Sequence, residues 1–262
     1  MFIRKATSLD FAAINLLWQE VFGDLSDYIT LFISNFGIGN CYVCDINKSI
    51  VSMAFAIPTP CRTVNDYNSI NLKYIYTCAT HPDFQSQGMM KQLLENIYED
   101  SCNENVAGLF LQAANHHLEN YYRKLGFEDF FFRSETVYRH PSLPKSHLSL
   151  LNSHLITHTQ YYQKRILKLS NRYFVNWDPA FFHFLKQTGT QFCELGDTIF
   201  SYKKEANRII VDELLGETPQ EHIAAMLFEE FSNIEEIHIR SIGNEFCCGQ
   251  IKWCNSSIKK NS

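Results

Sequence analysis

The spacing of apolar residues changes period several times along the chain, and each change marks an element. Phe2–Ala6 reads as a short strand, and Ser8 and Asp10 then precede a stripe of Phe11, Ile14, Trp18 and Val21. That stripe fits one face of a helix, which Gly23 closes. A second helix is expected over Ser26–Asn35, ended by Gly37 and Gly39. Cys41–Cys44 and Ile50–Ile57 are strand-like runs around a hairpin turn at 45–49. Pro58, Pro60 and the polar stretch 65–69 then lead into a strand at Ile70–Ala79. Met90, Leu93, Leu94 and Ile97 follow at i, i+3, i+4, i+7, a helix lying on a sheet. Val106–Ala113 predicts a strand, and Asn115 caps a helix that runs to Leu125. Gly126 supplies the left-handed residue after it, and Phe127–Tyr138 is an aromatic strand. The order is β-α-α-β-β-β-α-β-α-β. Its strand-helix-strand step implies a parallel pair and its hairpins imply antiparallel neighbours, so the fold class is α/β with a mixed sheet.

After Pro141-Ser142-Leu143-Pro144, a linker by composition, a similar order restarts. Helices are expected at Thr157–Leu169 and Pro179–Gln187, around a strand at Arg172–Trp177. Strands follow near Gln191–Glu194 and Thr198–Lys203 and in the run NRIIVDELLG. A capping box, Thr218-Pro219-Gln220-Glu221, opens the next helix, and Ile234–Arg240 is a strand. This half reads as a diverged structural repeat of the first. The expected division is therefore 1–140, 145–255 and a disordered polar tail at 256–262.

A length of 262 residues suits two such domains. The net charge of −5 argues against non-specific nucleic-acid or anionic-membrane binding, so an anionic ligand would need local handling. Neither a signal peptide at residues 1–7 nor a membrane-spanning segment is expected. The nine cysteines are odd in number, scattered and set in apolar runs, which fits reduced thiols and a cytoplasmic protein. Cys41 and Cys44 have a zinc-knuckle spacing, but three residues apart on a strand they point to opposite faces. Cys247, Cys248 and Cys254 lack a partner pair, and the adjacent His116 and His117 diverge on a helix. No metal is expected.

The chemistry concentrates where the strand at Ile70–Ala79 turns into a helix through Gln85-Ser86-Gln87-Gly88-Met89-Met90. A helix N-terminus exposes unsatisfied amides and the positive end of a dipole. Gly88 permits close approach, and no carboxylate in the turn competes with a phosphate. One glycine alone does not separate this from an ordinary turn. The wider run CATHPDFQSQGMM, however, resembles the acetyl-CoA-binding segment of the GNAT N-acetyltransferase superfamily, a Q/R-x-x-G-x-G/A loop after the fourth strand. Gln85 stands at the Q/R position and Gly88 at the first glycine, with Met90 where Gly or Ala is usual. The run NHHLENYYRKLGFED resembles the N-x-x-A-x-x-x-Y-x-K-x-G-F element that ends the same domain. Asn115, Tyr122, Lys124, Gly126 and Phe127 match, and Leu118 replaces the alanine.

The resemblance implies direct acetyl transfer from acetyl-CoA to the primary amine of a small molecule or peptide. It implies that Gln85, Ser86, Gln87, Gly88, Met89, Met90 and Lys91 hold the pyrophosphate, with Asn115 and Tyr122 also beside the cofactor. The pantetheine arm would pair with Cys78, Ala79 and Thr80 like an added strand, across a local gap in the sheet. The Cys78 backbone amide is the implied oxyanion donor and Tyr122 the implied proton donor to the departing thiolate. No carboxylate on the strand supplies a base; Tyr74, Tyr76 and His81 are available and the base is unassigned. In the second half Glu217 and Glu221 would repel phosphate and Pro219 removes an amide, so no CoA site is expected there. That half is instead expected to wall the acceptor site, an arrangement that loosely resembles tandem acetyltransferases of the enhanced-intracellular-survival type. A non-catalytic acyl-CoA-binding regulatory module and an acyl or aminoacyl transferase using another donor stay open, as does a homo-oligomer.

Overall fold

The computed structural model describes residues 1–63, 66–139, 153–171 and 174–254, and no side chains over 62–69. The expected linker at Pro141–Pro144 and the expected tail at 256–262 lie outside the described residues. The elements run β1 Phe2–Lys5, α1 Phe11–Phe22, α2 Ser26–Phe36, β2 Cys41–Ile46, β3 Ser49–Thr63 and β4 Asp66–Thr80. Then come α3 Met89–Asn103, β5 Gly108–Leu111, α4 His116–Lys124 and β6 Glu128–Arg139. After these follow β7 His154–Leu155, α5 His158–Leu169, β8 Phe174–Val175, α6 Pro179–Gln187 and β9 Gln191–Leu195. The last are β10 Thr198–Glu205, β11 Arg208–Leu215, α7 Gln220–Glu230, β12 Glu236–Ile242 and β13 Phe246–Trp253.

The chain forms two compact units. The first holds Met1–Phe131, Tyr173–Trp177 and Cys248–Ser262, the second Phe132–Arg172 and Asp178–Cys247. Two stretches that the sequence places in the second half thus belong to the first unit, because they add strands to its sheet. Val175 of β8 pairs with Cys61 of β3, and Gln250 to Trp253 of β13 pair with Leu111 to Gly108 of β5.

In the first unit the strand order is β1-β2-β3-β4-β5-β13. The β4–β5 pair is parallel and its sheet neighbours are antiparallel. Helix α3 lays Leu93, Leu94 and Ile97 on one face, against Tyr42, Ala54, Ile75 and Leu109, as its apolar stripe predicts. On the other face α1 and α2 bury Ile14, Trp18, Ile29 and Phe32. Trp18 packs edge-on to Phe32, Phe55 and Tyr76 with ring centroids 5.1, 5.7 and 6.3 Å away. The predicted helix ends hold: the Gly23 amide donates to the Gln19 carbonyl at 2.8 Å, and Asn115 Oδ1 accepts from the Leu118 amide at 3.0 Å.

Strand β3 is longer than predicted, running through Pro58 and Pro60. The Pro60 carbonyl accepts from the Asn176 amide on the side away from β4. Strand alternation turns both proline nitrogens to that same side, so no bond of the β3–β4 ladder is lost. The preceding hairpin turn narrows to Asn47 and Lys48, at φ 52° and 68°, the positive pair that matches strand twist.

Gly108 is a position where space decides the residue. A Cβ there would stand 2.8 Å from the Lys252 carbonyl oxygen across the β5–β13 pair. Gly108→Ala is expected to cost about 1–3 kcal/mol through forced separation of the two strands. A urea denaturation midpoint equal to wild type would show that β13 is not held this closely.

The second unit has the order β7-β9-β10-β11-β12-β6. Strands β9, β10 and β11 are antiparallel, and β11 runs parallel to β12 across α7. Its core joins Phe200, Ile209, Val211, Ile223, Met226, Leu227, Ile237 and Ile239. The predicted capping box before α7 does not form. Pro219 is the N-cap without a side-chain cap bond, and the Thr218 amide donates to Thr198 Oγ1 at 3.0 Å. That bond draws the loop toward β10 and away from the helix end.

Candidate active site

Strand β4 carries the irregularity from which the site is built. Met53 pairs with Ala79 and Phe55 with Tyr76, so Thr77 and Cys78 together face the single Ala54 of β3. This is a β-bulge, and Thr77 holds φ 54°, a left-handed conformation that is costly for a β-branched residue. Such strain, about 1–3 kcal/mol, persists where surrounding structure enforces it and clusters at functional sites.

The bulge opens the sheet. Pairing between β4 and β5 covers Leu72 to Tyr74 against Gly108 to Phe110 and goes no further, although β4 continues to Thr80. The His81 amide donates to the Val51 carbonyl at 2.9 Å and Ser52 Oγ donates to the Ala79 carbonyl at 2.9 Å, so these residues face β3. By alternation Cys78 and Thr80 turn their amides to the opposite side, toward the opening. The Thr80 carbonyl on that side accepts from Gln85 Nε2 at 3.1 Å, which ties the following turn to the strand end.

A cleft of about 380 Å³ occupies this region, lined by Trp18, Asp24, Tyr76, Thr77, Cys78 and Tyr122 among others. Tyr122 comes from the buried face of α4 and lies in the same packed cluster and cleft as Cys78. Burial first, and then the neighbouring Cys78, hold the Tyr122 phenol well above its usual range. Burial pushes the Cys78 thiol up to about 11, with the neighbouring Tyr122 hydroxyl acting the other way. Both groups are therefore protonated near neutrality, and Cys78 is no thiolate nucleophile. Thr77 Oγ1 is buried with no hydrogen-bond partner among the described residues, a polar atom left over at the cleft wall.

Beyond the cleft, β4 ends in the turn that leads to α3. Ser86 and Gly88 sit at φ 60° and 80°, and Gln87 Nε2 donates to the Asp83 carbonyl at 2.9 Å. The first backbone bond of the helix runs from Gln92 to the Gly88 carbonyl at 3.1 Å. The amides of Gly88, Met89, Met90 and Lys91 precede it and have no intrahelical acceptor. Gln85 to Gly88 are exposed, and a Cβ at Gly88 would meet nothing nearer than Gln92 Nε2 at 3.9 Å. Its positive φ, not crowding, is what asks for glycine. Met90 packs against the core under α3 and leaves the turn uncovered.

The structure thus brings Cys78 and Tyr122 into one cleft and sets Gln85 to Lys91 at the α3 terminus. Ala79 is buried beside Ser52, and Asn115 is exposed with its side-chain oxygen used to cap α4. His81 lies outside the cleft lining, accepting from the Asp83 amide through Nδ1 and pairing with Glu20 at 3.5 Å through Nε2. Asp24, like Thr77, is a cleft residue that the sequence did not single out. It follows the helix-closing Gly23, and Trp18 Nε1 donates to its Oδ2 at 2.8 Å. A lone aspartate in a loop gives no periodic signal. Among the described residues no three His, Cys, Asp or Glu side chains are grouped to hold a metal, and no helix is long and apolar enough to cross a membrane.

Residues 2–130 match the family model described as an acetyltransferase (GNAT) domain. The whole chain is similar in structure to a GCN5-related N-acetyltransferase from Anabaena variabilis ATCC 29413, with TM-score 0.74 and 13% identity over 97% of this chain and 73% of that one. A GCN5-related N-acetyltransferase from Kribbella flavida gives 0.72 and 14%, over 96% and 69%. Eis1 from Mycobacterium abscessus gives 0.67 and 10%, over 98% and 75%. No curated protein matches the sequence. Residues 2–130 therefore belong to the GNAT acetyltransferase family, and the chain as a whole has the fold of GCN5-related N-acetyltransferases.

Proposed function

We propose that the protein transfers an acetyl group from acetyl-CoA to a primary amine by direct attack of the nitrogen on the thioester carbonyl. The observation that carries this is the opening of β4 from β5 at the Thr77–Cys78 bulge. It leaves strand amides facing a cleft that also holds a protonated phenol. The outward-facing Cys78 and Thr80 backbone groups are fitted to pair with the amide-rich pantetheine arm, and the free amides from Gly88 to Lys91 with its pyrophosphate. Acetyl-CoA supplies the activated acyl group.

The chain's own residues then have separate tasks. The Cys78 amide stabilises the negative charge that develops on the carbonyl oxygen, an effect that can reach about 3 kcal/mol. Tyr122 gives its proton to the sulfur as the carbon–sulfur bond breaks. The proton lost from nitrogen restores the phenol, so the products are an amide and a neutral CoA thiol.

The second unit repeats the strand order and pairing of the first, which supports reading it as a diverged GNAT-like half. It lacks the anion turn: the Thr218 amide is already bonded and Pro219 has none to offer. We assign it no CoA site.

Gln87→Glu tests the reading. A carboxylate here interacts well with the α3 dipole but cannot donate to the Asp83 carbonyl as Gln87 Nε2 does, so the two effects oppose and thermal stability is expected to change little. The same charge occupies the anion position, so the affinity for CoA in a calorimetric titration should fall at least about tenfold. Unchanged affinity, or no CoA binding by wild type, would remove the proposed site.

A further inference from the structure

We propose that Asp24 selects acceptors carrying a second positive charge, such as diamines and basic amino acids. This rests on the acetyl-transfer reading for the reacting end of the acceptor. It concerns the opposite end of the same cleft.

Asp24 is half-buried and lines the cleft with Trp18, Phe22, Tyr74 and Tyr76. Trp18 Nε1 fixes Oδ2 at 2.8 Å, and a carboxylate has acceptor capacity on both oxygens beyond that one bond. Trp18 also packs on Tyr28 and Tyr76 with centroids 6.5 and 6.3 Å away, and the two phenol oxygens stand 3.3 Å apart. A carboxylate among aromatic rings is a place for an ammonium group, which gains a charge-assisted hydrogen bond and ring faces together.

The position of Asp24 decides which ammonium. Tyr76 projects from β4 onto the face covered by Trp18 and Phe32, whereas Cys78, beyond the bulge, packs on the opposite face with Tyr122. The carbonyl would be polarised beside the Cys78 amide, on the strand itself. Asp24 is held by Trp18, which packs on the Tyr76 face of β4, opposite the face on which Cys78 packs. It therefore binds the far end of an acceptor whose near nitrogen attacks. An acceptor with a single amine leaves the Asp24 oxygen without its partner, and a site built for a polar group discriminates against ligands that lack it.

The test compares unbranched diamines of about three to six carbons with monoamines of equal length. Wild type should show kcat/KM at least about tenfold higher for the best diamine than for its monoamine, carried by KM. Asp24→Asn keeps an oxygen for the Trp18 indole and removes the charge. It should bring that ratio close to one, while Asp24→Glu should restore part of it. The ratio is internal to each protein, so a general loss of folding or turnover does not imitate the result. Calorimetric titration of the same amines into the CoA-bound protein gives a second readout. If no amine is acetylated but diamines bind through Asp24, acetyl transfer falls and this inference stands. A wild type that neither turns over nor binds diamines in preference to monoamines, or an Asp24→Asn variant that keeps the preference, overturns it.

Discussion

Tyr122→Phe is expected to lower kcat by about 10²–10⁴-fold with acetyl-CoA affinity changed by only a few-fold. The substitution removes one hydroxyl and keeps the ring that packs 5.3 Å from Tyr121 and 5.8 Å from Phe127. The loss should thus appear in turnover and leave the fold intact. A phenol held above its usual range looks at first like a poor acid. The same burial, however, raises the thiol beside it, since Cys78 is pushed up to about 11. A thiolate leaving in that environment is destabilised too, so the proton is still taken up. The sign for pH follows. Because the Tyr122 phenol is raised, it remains protonated through the working range. It contributes no descending limb to kcat below about pH 10. Steady-state CoA release across pH, for both proteins, checks each part. A phenylalanine variant with wild-type kcat would take the acid role away from Tyr122.

Much of this is legible in the residues alone. The helix stripes, the Gly23 and Gly126 helix ends, the Asn115 cap and the turn from β4 into α3 all follow from local rules, and all hold. What escaped depends on contacts distant in sequence. Strand β13 reads FCCGQIKW, with an internal glycine and no clean alternation, and it becomes a strand because β5 is there to pair with it. Residues 174–175 are claimed by β3 in the same way. Pro58 and Pro60 suggested a break, but which side of a strand lacks a partner is a property of the sheet. The bulge at Thr77 and Cys78 has no glycine to announce it. Asp24 becomes part of the cleft only once α1 and α2 are packed on β4. The family motifs pointed to the turn before α3 and to Tyr122, while the place of Asp24 in the cleft comes from tertiary structure.

Those distant contacts converge on Trp18, whose replacement by alanine should destabilise the first unit by about 3–5 kcal/mol. The side chain is 1% exposed and its ring neighbours, Phe22, Tyr28, Phe32, Phe55 and Tyr76, come from both helices and both central strands. Alanine would leave a cavity that rigid aromatic neighbours cannot close. Against a usual total stability of about 5–15 kcal/mol that is a large share, and a fall in thermal midpoint on the order of 10 °C is expected. Trp18→Phe separates packing from positioning. It retains much of the ring contact and should cost less stability, but it removes the indole N–H that holds Asp24 at 2.8 Å. The phenylalanine variant should therefore stay folded while its KM for a doubly charged acceptor rises and its CoA affinity is unchanged. Chemical denaturation and acceptor kinetics on the two variants distinguish these effects. If Trp18→Ala costs under about 1 kcal/mol, the aromatic cluster is not what presses α1 and α2 against β4. The cleft would then need another explanation for its shape.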